Sequence, residues 1–128
     1  MNSRPLPGHN PNNSPADPAL TSAQFHILLT LAEGDRHGYA IMQEIERRTD
    51  GVLELGPGTL YRSIKQLLSR GLIIEVDSKA QDHPDATNRR RSYALTPAGK
   101  ARTAEEAERL RGLVRWAEDA MVFEGGRP

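Results

Sequence analysis

A chain of 128 residues has the length of one domain, enough for a core if nearly all of it contributes. The absence of cysteine excludes disulfide frameworks and thiolate zinc sites and suits a reducing cytoplasm. Seventeen basic residues balance seventeen acidic ones, so no overall positive field draws the chain onto nucleic acid, and no apolar run approaches membrane length.

The charge is nevertheless uneven. Residues 56–98 carry seven basic and four acidic side chains, net +3, whereas residues 21–55 carry three basic and six acidic, net −3. Residues 1–19 are rich in Pro, Asn and Ser, lack the apolar centre of a signal peptide, and offer little apolar surface to offset the entropy of ordering them. A disordered tail is expected there, and its His9 is no metal site by itself. Neither metal nor cofactor is expected anywhere in the chain. Four scattered histidines without a nucleophile–base spacing give no catalytic constellation.

Thr21 followed by Gln24 is a capping-box pattern that opens a first helix through Ala32, closed by Gly34. Phe25, Leu28, Leu29 and Ala32 form one apolar stripe. Leu20, Ile27 and Leu31 add a second, which implies a further partner: the last helix of this chain or of a second subunit. A second helix runs from about His37-Gly38-Tyr39 to Thr49, and its N-terminus, with Tyr39 nearby, could hold a phosphate. Tyr39 could equally pack in the core. Asp50-Gly51 signals a turn, and residues 52–55 (VLEL) read as a brief strand.

Residues 56–70 (GPGTLYRSIKQLLSR) form the central feature. Leu60, Ile64, Leu67 and Leu68 fall on one helical stripe, which leaves Thr59, Tyr61, Arg62, Lys65, Gln66 and Ser69 on the remaining circumference. Hydroxyl, guanidinium, ammonium and amide groups there could meet phosphates and base edges, with Gln66 able to pair with adenine. An ordinary solvated helix face would look the same, so the neighbouring elements must decide. The glycines beside this helix are not a nucleotide cradle: Gly99-Lys100 is followed by Ala101, and Ala94 stands where the first glycine of a phosphate-binding loop is required.

Residues 72–76 (LIIEV) and 91–95 (RSYAL) suggest a hairpin with a long tip that carries Lys79. Arg89, Arg90 and Arg91 follow the tip. They fit charges that guard a strand edge and fit a phosphate clamp about equally well. Thr96-Pro97 starts a last helix that runs to about Phe123. In it Ala107, Leu110, Val114, Ala117 and Met121 follow the 3-4-3-4 spacing of a coiled-coil seam. At roughly 1.5 Å per residue this helix outreaches so small a head, so its seam, flanked by Leu113, Trp116, Ala120 and Phe123, needs another chain or must fold back on the first helix.

Three helices followed by a two-stranded wing make the winged helix-turn-helix pattern, whose third helix enters the major groove. The order and spacing of HGYxI (residues 37–41), GTLYRxIxxL (58–67), GLI (71–73) and YxLTxxGK (93–100) resemble the PadR family of transcriptional regulators over residues 20–100. The resemblance implies a mainly α (α+β) fold and a homodimeric, usually repressing, DNA-binding protein with a wing and a C-terminal dimerisation helix. The single terminal helix looks like the short branch of that family, some members of which sense flat aromatic compounds between subunits. Trp116 could supply a stacking surface or simply pack in the interface. The expected organisation is a tail over 1–19, a DNA-binding domain over 20–96, a dimerisation helix over 97–124 and a disordered end over 125–128. The expected DNA-contacting residues are Thr59, Tyr61, Arg62, Lys65, Gln66, Tyr39, Lys79, Arg89 and Arg90. A winged-helix module that binds proteins instead of DNA is the alternative.

Overall fold

The computed structural model describes residues 19–76 and 91–121. The expected N-terminal tail, the wing tip with Lys79, Arg89 and Arg90, and the chain beyond Met121 lie outside the described residues. The elements follow in the order α1 (Ser22–Ala32), β1 (Arg36–His37), α2 (Gly38–Arg48), α3 (Pro57–Ser69), β2 (Ile73–Val76), β3 (Ser92–Leu95) and α4 (Pro97–Met121). The three strands form one antiparallel sheet in the order β1-β3-β2.

Helix α1 opens on the expected capping box: the Gln24 backbone N–H donates to the Thr21 hydroxyl and the Thr21 N–H donates to the Gln24 side-chain oxygen, both at 3.0 Å. The helix is central, packed against α2, α3, α4 and β3. Its buried residues are Gln24, Ile27, Leu28, Thr30 and Leu31. The two stripes expected from sequence are each buried in part: Leu28 of the first and Ile27 and Leu31 of the second are buried, whereas Phe25 and Leu20 are half-buried, Ala32 is exposed and Leu29 is 40% exposed. One partner for the additional apolar surface is α4 of the same chain.

Helix α2 buries Ile41 and Ile45 and leaves Tyr39 exposed, so Tyr39 does not pack in the core. It ends in a turn with Asp50 at φ 53° and Gly51 at φ 77°, where the Gly51 N–H donates to the Glu46 carbonyl and the Asp50 N–H to that of Arg47. The strand expected at residues 52–55 is absent, and the short strand lies instead at Arg36–His37. Local bonds explain the difference. The Val52 N–H donates to the Thr49 carbonyl, the Leu53 N–H donates to the Thr49 hydroxyl at 3.1 Å, and β1 occupies the edge of β3 that another strand would need.

Helix α3 has Pro57 in its first turn and buries Leu60, Ser63, Ile64 and Leu67. It stops in a second left-handed cap. Gly71 has φ 72°, the Leu72 N–H reaches back to the Leu67 carbonyl, and the Gly71 N–H reaches that of Leu68, each at 3.0 Å. This turn is also where α4 begins. The Thr96 N–H donates to the Leu72 carbonyl at 3.1 Å, the Thr96 hydroxyl donates to the Gly71 carbonyl at 2.7 Å, and the Gly99 N–H caps back onto Thr96 at 2.9 Å. A methyl group on Gly99 would lie 1.9 Å from the Leu72 carbonyl oxygen. Only glycine permits this approach.

The first half of α4 rests on the head through Gly99, Thr103 and Glu106, whereas every residue from 111 to 121 is exposed. Glu106 is only 5% exposed. The Arg109 guanidinium donates to its carboxylate, and Arg102 stands 3.7 Å away. The Arg109 hydrogen bond outweighs burial and, with the charges of Arg109 and Arg102, holds the Glu106 carboxyl below its ordinary value.

Gly99→Ala should destabilise the protein by about 2 kcal/mol or more through forced overpacking against backbone. Urea denaturation with an unchanged midpoint would refute so close a joint. Because the Glu106 carboxyl is depressed on folding, its contribution to stability is fully present above the unfolded value of about 4.3 and is lost as pH falls through the folded value. Glu106→Gln should flatten this acid limb in denaturation curves recorded below about pH 5, and an unaltered limb would count against the ion pair.

Candidate nucleic-acid interface

Steps of about 100° per residue around α3 bring Thr59, Arg62, Lys65, Gln66 and Ser69 onto one outward arc, and all five are exposed. The arc contains no carboxylate, because none occurs in the α3 sequence. Arg62 and Lys65 are both exposed, and neither forms an ion pair with a described residue. The α1–α2 side is different. There Glu33 pairs with Arg36 and Arg48, and Glu44 pairs with Arg47 and Arg48, so the acidic half of the chain neutralises its own arginines. These arginine hydrogen bonds also hold the Glu44 carboxyl below its ordinary value.

Tyr61 stands apart from the other expected contacts. It is half-buried and packed against the hydrophobic core, with its ring against Gly38 so closely that a methyl group there would meet the hydroxyl at 2.7 Å and Cε1 at 3.0 Å. Tyr93, 4% exposed, lies in the same region: burial, then the Glu75 charge and Tyr61, raise its phenol. Tyr61 thus serves as a strut that ties α3 to the start of α2 and to the sheet. The HGY motif supplies the glycine that makes room for it.

Gln66 is tied as well. Its side-chain oxygen accepts from the buried Gln24 amide at 3.0 Å, and the Arg70 guanidinium lies 3.5 Å from the Gln24 oxygen. Gln24 was legible in the sequence as a capping residue. Its reach to α3, 42 residues away, has no sequence signal, because local spacing says nothing about which helix will lie across from a cap.

At the base of the wing, β2 and β3 pair with Glu75 opposite Tyr93 and Val76 opposite Ser92. Arg91 meets Glu75 at 3.1 Å, which compensates its charge. Lys79, Arg89 and Arg90 lie outside the described residues. Tyr39 is 55% exposed at the start of α2, close in sequence to His37, whose Nδ1 is 3.0 Å from the Ser92 hydroxyl. The Gly38 N–H is already used by the Arg91 carbonyl, so the α2 N-terminus has one donor fewer for a phosphate than its sequence suggests.

On α4 the expected seam divides in two. Ala107 and Leu110 are half-buried against the chain's own head, whereas Val114, Ala117 and Met121 are exposed beside Leu113 and Trp116. Trp116 is 68% exposed. The described residues contain no cluster of His, Cys, Asp and Glu able to hold a metal ion, and no helix among them is long and apolar enough to cross a membrane.

Residues 27–105 match the model of the transcriptional regulator PadR-like family. Over 98 residues the chain is 33% identical to a transcriptional regulator of Mycobacterium tuberculosis, covering 73% of this chain and 80% of that protein. It is 34% identical over 106 residues to an uncharacterised 37.1 kDa protein in a transposon of Streptomyces fradiae, covering 83% of this chain but only 26% of that protein's length. Among solved structures, a PadR family transcription regulator from Clostridium difficile superposes with a TM-score of 0.65 at 25% identity, over 79% of this chain and 99% of that one. Bacillus subtilis PadR in complex with operator DNA shares the fold, with a TM-score of 0.58 at 20% identity over 67% of this chain and 46% of that one.

Gly38→Ala should push the Tyr61 ring out of place and destabilise the protein by about 1–3 kcal/mol. The same change made on a Tyr61→Ala background should cost less, giving a coupling of at least about 0.5 kcal/mol in a double-mutant cycle. Strictly additive costs would show that the two residues do not bear on each other.

Proposed function

The chain belongs to the PadR-like family of transcriptional regulators, and from that premise we propose that it is a homodimeric repressor whose two copies of α3 read a pseudo-palindromic operator. The observation that carries this reading is the outward arc of α3, where Arg62 and Lys65 stand without ion-pair partners among the described residues and without a neighbouring carboxylate on the helix. Such charges are well suited to phosphates and to guanine edges. Thr59 and Tyr39 would add positioning contacts, and Tyr61 would act chiefly by holding α3 at its angle. Lys79, Arg89 and Arg90, which flank the wing in the sequence, would bind phosphates. A complex of a fold relative with operator DNA supports the same use of the fold.

The exposed second half of α4 supports the dimer. Val114, Ala117 and Met121 continue the seam that Ala107 and Leu110 begin, and the exposed apolar surface of Leu113, Val114, Trp116 and Met121 is more than an isolated helix end usually leaves to water. Trp116 on that helix would offer a flat aromatic effector a stacking face, and binding there would release the operator. The repressor would work in the cytoplasm.

Fluorescence-polarisation titration of the full chain against the DNA upstream of its own gene tests the proposal. Tight, competitor-resistant binding is expected, weakened by about 1–3 kcal/mol in Arg62→Ala where that residue reads a base. Weak binding that sequence-blind competitor removes would favour a protein-docking module instead. An Arg62→Ala variant with unchanged affinity and salt dependence would remove Arg62 from the interface.

A further inference from the structure

Gln66 differs from the other exposed polar residues of α3 because the direction of its amide is fixed from inside the protein. The backbone N–H of Thr21 can only donate, and it lies 3.0 Å from one terminal atom of the Gln24 side chain. The Arg70 guanidinium, also a donor only, lies 3.5 Å from the same atom. That atom is therefore the Gln24 oxygen, and the other end of the amide is the NH2 group. The NH2 group stands 3.0 Å from the end of Gln66, which must accept and so must be Oε1. Reversing Gln24 would set its NH2 against the Thr21 N–H at a site only 5% exposed, leaving donors facing one another. The polarity of the helix cap is thus handed from α1 to α3. The oxygen of Gln66 turns toward α1, and its own NH2 is left on the outer side.

We infer that Gln24 is a positioning residue for sequence reading: by holding the Gln66 amide with its NH2 outward, it makes α3 present a donor alone at this position. A donor alone favours a base edge that offers acceptors with no donor beside them, O6 and N7 of guanine or O4 of thymine, over adenine, whose N7 acceptor has the N6 amino donor as its neighbour. It disfavours the paired contact with N6 and N7 of adenine, for which glutamine must donate and accept together. On this reading the adenine pairing that the sequence suggests for Gln66 gives way to a single donor contact. The inference rests on the proposal that α3 enters the major groove, and the two can fail separately.

The test is selection of bound duplexes from a randomised pool by the full chain in four forms: unaltered, Gln66→Ala, Gln24→Glu and Gln24→Ala. Gln24→Glu keeps an acceptor for the Thr21 N–H and so keeps the capping box, but its second oxygen faces Gln66 and requires that amide to reverse. The unaltered chain should prefer G or T at one position of each half-site, on the order of tenfold, and Gln66→Ala should lose that preference. Gln24→Glu should move the preference on that strand to A or C, whose exocyclic amino groups donate. Gln24→Ala should broaden it, so that the inference stays open to refutation if Gln24→Glu does not fold by circular dichroism. A loss of overall affinity with the base preference unmoved is what a merely structural Gln24 would give, and it would overturn the inference. So would a Gln66→Ala variant that keeps every preference, or a Gln24→Ala variant whose preference does not broaden. If the unaltered chain selects no sequence, operator reading itself fails, which is a different result from a preference that depends on Gln66 but ignores Gln24.

Discussion

The close approach of Gly99 to the Leu72 carbonyl is the constraint on which the arrangement depends. Three elements meet at that point: α3 ends in the left-handed turn at Gly71, β2 leaves from Leu72, and α4 starts at the Thr96 cap. The Leu72 and Gly71 carbonyls, which a helix end would otherwise leave to water, accept from the Thr96 backbone and hydroxyl. Satisfying them fixes where the wing and the long helix depart relative to α3. An added methyl group would separate the three elements by levering α4 away, so one absent side chain sets the geometry of the whole basic side.

Electrostatics then does with distribution what net charge does not. Seventeen positive and seventeen negative charges cancel in sum, yet Glu33 and Glu44 are consumed by Arg36, Arg47 and Arg48 on the same side of the molecule. Arg62 and Lys65 on α3 have no such neighbours among the described residues. A neutral chain can in this way present a local positive face, with less of the long-range attraction that would hold a strongly basic protein on any nucleic acid.

The sequence was most readable where a local rule acts alone. The capping box at Thr21, the turn at Asp50-Gly51 and the Thr96-Pro97 start are all found as expected, because each depends on a few adjacent residues. The errors fall where a partner decides. Residues 52–55 had strand-like side chains, but Thr49 takes their N–H groups and β1 already holds the edge of β3. Two apolar stripes on α1 competed for the interior, and the face that lies against three other helices takes Leu28 from one and Ile27 and Leu31 from the other. Tyr61 was placed with the polar face because its hydroxyl suits either surface, and only the gap left by Gly38 shows that its ring packs inward.

The sequence by itself determined the bounds of the four helices and of the two wing strands to within a residue or two where they are described, since capping, turn chemistry and hydrophobic spacing are properties of short stretches, and the order of its motifs gave the resemblance to the family. It also placed Arg62 and Lys65 on the outer side of α3, because a helix has one period and the leucines occupy the other side. Only the tertiary structure decided which polar residues of that helix are free to act and which are held. Tyr61 is pinned by a glycine on another helix, and Gln66 is oriented by a cap on a third. The physical reason is that hydrogen-bond direction and steric room are set by atoms that meet in space, often tens of residues apart in the chain, and no pattern of spacing records them.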